Sequence, residues 1–201
     1  MATRIGRSRI EMRKQPQQDR SRATVEAIVQ AGIQVLGRNG WAGFTTNHVA
    51  ELAGVSIGSL YQYFPDKRAL LAAIRERHFA DVLAVVRSSA HGSGDLAQRL
   101  EALVQGMIDV HGAYPELHRA IVDEAPSDSS VRAAHDAFER EYLRAYQQLL
   151  ERGRSRRSEA VAHVLSAAIE GVVHDSARRG TLRLAATKAE LTKLVLAYIR
   201  T

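Results

Sequence analysis

Cysteine is absent from the 201 residues, so no disulfide staples this fold, and thiolate zinc sites and cysteine nucleophiles are excluded. Long apolar runs are missing too. None approaches the ~18 to 20 residues of a membrane span, and the opening MATRIGRSRIEMRKQPQQ carries basic residues without the apolar h-region of a secretory signal. The expectation is a soluble protein of the reducing cytoplasm. Strand signals are nearly missing, because Ala, Leu, Arg, Glu and Gln dominate and apolar residues recur at three and four rather than alternating. There is no HExxH, no G-x-S-x-G, no P-loop and no G-x-G-x-x-G after a strand, so neither catalysis nor a cofactor is expected. Aromatic residues make up 5% of the chain. Their scarcity in its body argues for an aliphatic pocket there and against one that stacks a flat ligand.

What is present is an uneven charge. Residues 1–70 hold ten Lys or Arg against five Asp or Glu, and the rest of the chain holds eighteen against seventeen. The formal charge of +6 is therefore concentrated in the first third. Cations clustered on one module displace the counterions condensed on phosphates and suggest a polyanion partner; an ordinary solvated basic tail would give the same count. Residues 1–19 have no apolar face and read as a flexible basic arm. Beyond it the periodicity predicts an all-α fold of about nine helices, near 20–38, 45–53, 56–63, 66–88, 95–113, 116–125, 130–152, 158–179 and 188–200. Asn39-Gly40 stops the first of these. Residues 20–75 form one small module, with its motif at about 44–63, and residues 76–201 a larger helical body.

The segment from Phe44 to Leu70 contains three helix starts. Thr45, Ser56 and Asp66 are each a polar cap, and Phe44 with Val49 and Val55 with Leu60 bracket the first two at the spacing of a hydrophobic staple, although none has the Glu or Gln three residues on that completes a capping box. Gly54 falls where a sharp turn requires positive φ. The second short helix divides by four-residue spacing into an apolar pair, Leu60 and Phe64, and an outward set of Ile57, Gly58, Ser59, Tyr61, Gln62 and Tyr63. That set suits a DNA groove. Gly58 lets backbone approach, Ser59 and Gln62 can bond base edges, and the tyrosine hydroxyls reach phosphates. Lys67 and Arg68 oppose the dipole of the helix they begin, a penalty a phosphate would reverse, although both could equally extend into water.

At these residues the chain resembles the TetR family of repressors, whose motif reads here as Thr46, Ala50, Ala53-Gly54-Val55-Ser56, Gly58, Leu60-Tyr61, Tyr63-Phe64, Lys67 and Leu70. The resemblance covers about residues 20–75; further on only the order and lengths of helices agree. It implies a sequence-specific regulator, most simply a repressor released from a near-palindromic operator by a small-molecule effector. Thr45, Thr46, Ser56, Ile57, Gly58, Ser59, Tyr61, Gln62, Tyr63, Lys67, Arg20 and Arg22 would then face duplex DNA. It also implies a homodimer built on the last two helices, where Val161, Leu165, Val172, Leu191, Leu194, Val195 and Tyr198 would form the interface. An effector pocket would lie among the helices between.

Candidates for that pocket are His111, Tyr114, His135, Tyr142 and Tyr146, with His118 beside them, although each could be a satisfied core or surface residue. Glu159, His163, Glu170 and His174 share one stripe of the 158–179 helix. Imidazole and carboxylate suit zinc or iron, yet these pairs are four apart where the di-iron motif uses three, and the stripe opposes the Val161, Val164, Leu165, Ala168, Val172 face. It reads as a solvated or interface surface, and no metal is expected. Arg152 to Arg157 read as a solvated connector. The rival function is a DNA-binding regulator or architectural protein controlled by a protein partner, without any small ligand. A cavity in the body would favour an effector, and a filled core a partner.

Overall fold

The computed structural model describes residues 19–121, 125, 129–151 and 159–200, and nine helices run through them: α1 (Asp19–Gly43), α2 (Thr46–Leu52), α3 (Ile57–Tyr63), α4 (Lys67–His91), α5 (Leu96–Ala113), α6 (Leu117–Arg119), α7 (Ser129–Glu151), α8 (Glu159–Arg178) and α9 (Ala185–Arg200). No strand occurs among the described residues. None of their helices is long and apolar enough to cross a membrane. The basic arm and the Arg152 to Arg157 cluster lie outside them, apart from Asp19, which opens α1.

Local chemistry accounts for the short helices. Thr45 accepts from the His48 N–H at 3.2 Å and Ser56 from the Ser59 N–H at 3.0 Å, while Asp66 Oδ1 accepts from the Ala69 N–H at 2.8 Å. Each cap satisfies one of the orphan donors of its helix and is worth about 1 kcal/mol. Gly54 takes φ of +67° between α2 and α3. The expected stop of the first helix is a break rather than an end: Gly40, at φ 62° and ψ −175°, interrupts α1, and the helical assignment resumes through Gly43. The helix expected near 95–113 carries a cap that sequence reading missed. Asp95 and Gln98 form a complete capping box on α5, with the Gln98 N–H on Asp95 at 2.9 Å and the Asp95 N–H on Gln98 at 3.0 Å.

The chain divides into two compact units between Glu76 and Arg77, within α4. In the first, Ile28, Leu36, Phe44, Val49, Leu60, Phe64, Leu70 and Ile74 are sealed from solvent. Helices α1 and α4 approach closely here, since a Cβ at Gly32 would meet Ile74 Cδ1 at 2.7 Å. In the second, α5 packs on α7, α8 and α9, and α8 on α7 and α9. Leu103, Val104, Met107, Tyr146, Leu149, Ile169 and Val173 form the centre of its core. Arg99, also buried, donates from α5 to the Leu149 carbonyl at 3.3 Å, so a cation meets the carboxyl end of α7, where the helix dipole favours it.

Arg20 and Arg22 stand in the first turn of α1, within the helix expected near 20–38. Of the expected 116–125 helix, α6 covers Leu117–Arg119 and residues 120–121 continue as π-helix, while 122–124 lie outside the described residues. Leu165, Leu191 and Val195 are at most 2% exposed within their own subunit's core, so they have no surface left for a second chain.

Candidate functional site

With their caps in place, α2 and α3 are further tied by side chains. Thr46 Oγ1 and the Tyr61 hydroxyl lie 3.0 Å apart, and Asn39 Nδ2 lies 3.3 Å from His48 Nδ1, linking α1 to α2. The fixed α3 buries Leu60 and, just past its end, Phe64. It leaves Ile57, Gly58, Tyr61 and Gln62 exposed, with Ser59 and Tyr63 half-buried and Thr45 and Thr46 at the start of α2 exposed and half-buried. Ser59 Oγ is within 2.8 Å of Ser56 Oγ. Nothing inside the protein requires Gly58, because a Cβ there would meet only Ser56 Oγ at 3.8 Å. A glycine in a helix costs roughly 0.5–1 kcal/mol, and no internal contact offsets that cost here. The α3 surface carries no charged side chain, which suits contact with base edges rather than with phosphates.

Lys67 has an internal role that sequence reading missed. Its ammonium donates to the Trp41 carbonyl at 3.1 Å and sits 3.6 Å above the Trp41 ring centroid and 5.5 Å from that of Phe44. Partial burial lowers its pKa. The lysine thus clasps the turn that ends α1 to the start of α4, and exposed Arg68 beside it is the cation with the freer reach. Lys67→Met, which keeps the stem and loses the charge, is expected to destabilise the first unit by about 1–2 kcal/mol. Urea denaturation followed by the fluorescence of Trp41, the single tryptophan, measures this.

The second unit encloses a cavity of about 290 Å³. His78, Phe79 and Val82 of α4, His111 of α5, His118 of α6, His135, Phe138 and Tyr142 of α7, and His163, Glu170 and His174 of α8 all line it. Phe79 and Phe138 stack at 4.4 Å between centroids. The wall is therefore aromatic and polar, not aliphatic as the scarcity of Phe, Tyr and Trp suggested, because histidine supplies most of the rings. Of the five pocket candidates, His111, His135 and Tyr142 line the cavity. Tyr146 does not: it is a sealed core residue, its hydroxyl 3.2 Å from that of Tyr142. Tyr114 caps the end of α5 away from the lining. Sequence reading missed His78, Phe79 and Phe138.

The α8 stripe, expected to be a solvated or interface surface, is so only in part: Glu159 and His163 are exposed and Glu170 and His174 half-buried, and His163, Glu170 and His174 line the cavity. Burial raises the pKa of Glu170, against the lowering effect of its hydrogen bond with Tyr142. Burial also raises that of Tyr142, to which Tyr146 and Glu170 add. Desolvation drives the histidines the other way: His78, His118 and His174 fall to about 3, each lowered further by neighbouring rings. His111 is lowered by burial against the raising effect of its bond to the Met107 carbonyl. All four are neutral imidazoles at neutral pH.

Comparison with known proteins places both units. Residues 28–74 match the model for bacterial regulatory proteins of the tetR family, and residues 95–199 match that of the tetracyclin repressor-like C-terminal domain. An uncharacterized HTH-type transcriptional regulator, YvdT of Bacillus subtilis, is 31% identical over 97 residues, 48% of either chain. The HTH-type transcriptional repressor SCO4008 of Streptomyces coelicolor is 25% identical over 120 residues, 60% of this chain and 59% of its own. The matched stretches thus span about half the length of these relatives. In fold, the chain is similar to a transcriptional regulator from Rhodococcus sp. Rha1, with TM-score 0.73 at 21% identity over 87% of this chain and 95% of that one. A TetR transcription regulator from Haloarcula marismortui gives 0.72 at 18% identity, over 88% of this chain and 96% of its own.

Proposed function

Because the chain belongs to the TetR family of DNA-binding transcriptional regulators, we propose that it is a repressor whose operator affinity is lowered by an effector bound in the histidine-lined cavity of its second unit. The cavity is the observation that carries this reading. At about 290 Å³ it stands at the small end of ligand sites, and a regulator controlled only by a protein partner has no use for an interior lined by polar rings. Helix α4 is continuous from Lys67 to His91, and His78, Phe79 and Val82 upon it line the cavity. An occupant that repacks those side chains favours one setting of α4 over another. It lowers operator affinity only if it binds better to the setting that reads DNA poorly.

The test is calorimetric titration of candidate effectors with and without operator duplex. Linkage requires that an effector weakening DNA binding by some factor, typically 5- to 150-fold, bind the DNA complex more weakly by the same factor. Equal affinity in both titrations for every compound that binds defeats the effector reading and favours control by a partner. On the DNA side, the exposed α3 residues are proposed to read bases. Gln62→Ala or Ser59→Ala is expected to alter base preference and cost about 1–3 kcal/mol on the cognate site, as measured by binding to a panel of single-base operator variants.

Dimerisation is proposed through α8 and α9, each of which carries two apolar faces. One is spent on the subunit's own core: Ala162, Leu165, Ile169 and Val173 on α8, and Leu191, Val195 and Ile199 on α9. The other leaves Val164 47% and Leu194 50% exposed, with Val161, Val172 and Tyr198 half-buried beside them. A twofold pair of such faces would set two reading units on half-sites about 34 Å apart or somewhat more. Val164→Glu is expected to weaken the dimer by about 3 kcal/mol or more through an unpaired charge at the interface. Sedimentation at micromolar concentration checks this, and an unchanged dimer would move the interface elsewhere.

A further inference from the structure

The cavity wall contains a group of imidazoles that the regulatory reading does not itself explain. His78 of α4, His111 of α5 and His118 of α6 each present a ring nitrogen, and these atoms lie within 4.8 Å of one another. His174 of α8 stands beside them, stacked on His118 at 3.7 Å between centroids and 4.9 Å from His111. His78 and His111 are buried and the other two half-buried. Among the described residues, His78 Nε2, His118 Nδ1 and His174 Nε2 have no hydrogen-bond partner. An orphaned buried polar atom costs about 1–3 kcal/mol, so unpartnered nitrogens on a wall that also holds the His78, His111 and His118 group call for an occupant.

His111 identifies its kind. Its Nδ1 lies 2.9 Å from the Met107 carbonyl, which can only accept, so the proton resides on Nδ1 and Nε2 carries a bare lone pair. A ring held by a backbone carbonyl on one nitrogen is how metal-bound histidines are oriented. Neutral rings offer an anion no charge to pair with. A cation with affinity for imidazole is favoured, and the neutral rings have no proton to shed before binding one.

We propose that His78, His111 and His118 bind one late first-row divalent metal ion of the zinc or nickel class, with an open coordination position toward the cavity and His174 flanking it. Three neutral nitrogen donors without a carboxylate select such an ion over magnesium or calcium, which take oxygen. The four-residue spacings on α8 pointed away from a metal because they concern a single helix; these ligands come from three. The assignment of the ion as the effector rests on the function proposed above, but the site itself does not.

The experiment uses full-length protein purified without a histidine tag and stripped with chelator. Co²⁺ is titrated by visible absorption and calorimetry, and Zn²⁺ is then added to displace it. One Co²⁺ per chain is expected, with the visible bands of nitrogen coordination lost on adding Zn²⁺. His78→Gln and His118→Gln should each weaken binding about 100-fold or more, whereas His91→Ala, on an exposed ring of α4, should not. Metal-free melting curves establish that the variants fold. If His78→Gln does not, the half-buried His118 carries the test. Binding equal in wild type and His118→Gln, or no stoichiometric binding, overturns the site and leaves the effector reading to its own titrations. In a second arm, operator affinity is measured with and without Zn²⁺. A 5- to 150-fold loss that disappears in His118→Gln makes the ion the effector. Unchanged operator affinity in a protein that binds Co²⁺ overturns the regulatory role while the site stands.

Discussion

Acidifying the metal-free protein from about pH 7.5 to about pH 5.5 is expected to remove roughly 4 kcal/mol of the stability of the second unit. His78, His118 and His174 titrate near 3 in the folded chain, against an ordinary value of 6.5. Their folded pKa is depressed, so between those values the unfolded chain binds protons that the folded chain refuses. Stability is therefore complete above pH 6.5 and lost progressively as the pH falls toward 3. Three rings give a slope of up to about 4 kcal/mol per pH unit in the middle of that window, a large share of the 5–15 kcal/mol typical of a domain.

The groups around the rings temper this loss without reversing it. Glu170, whose pKa is raised by burial, works with the opposite sign: its folded form holds a proton that the unfolded chain releases above the ordinary 4.5, which favours the fold on the acid side. It is one group against three. Arg178 depresses His174 further. Urea unfolding in chelator at a series of pH values, followed in the second unit by hydrogen exchange, measures the slope. His118→Gln should reduce it by about a third, and stability that is flat between pH 7.5 and 5.5 would mean that the rings are already protonated or hydrated. A bound divalent ion should suppress the loss until acid displaces it, because ligation and protonation compete for the same lone pairs.

The reading surface was far more legible in the sequence than the cavity, for a physical reason. Thr45, Ser56, Asp66 and Gly54 act on their own near neighbours, and a cap or a turn is written in the few residues that form it. The histidine group is made of side chains that meet only when α4, α5, α6 and α8 pack, so no local spacing records it. A helical wheel showed that Glu170 and His174 share a face but not what that face meets. The same limit explains the interface residues. Leu165 and Val164 are adjacent in an apolar run, and only packing shows that the first is sealed in the subunit core while the second is half exposed. The internal role of Lys67 was hidden likewise, since its acceptor and its ring belong to Trp41, far back in the chain.

Phe64→Ala is expected to cost about 3–5 kcal/mol and to abolish operator binding without dissolving the second unit. Phe64 is fully buried, caps α3 in an extended conformation, and donates its N–H to the Leu60 carbonyl at 2.9 Å. It closes the core that Leu60, Phe44 and Val49 share. Truncation leaves a cavity under a helix of only seven residues, which has no stability of its own, since isolated helices below about 12–15 residues are marginal. The backbone bond to Leu60 survives the change, so the loss measures packing rather than the cap. The second unit has a separate core, so its cooperative unfolding should persist with nearly the wild-type midpoint. Trp41 lies in the first unit and reports on it alone, whereas hydrogen exchange in α5 and α8 reports on the second. Two separated transitions are expected in the variant, with the tryptophan transition shifted to lower urea. A single coincident transition at reduced urea would show that the units unfold as one, in which case the loss of DNA binding could not be assigned to the reading unit.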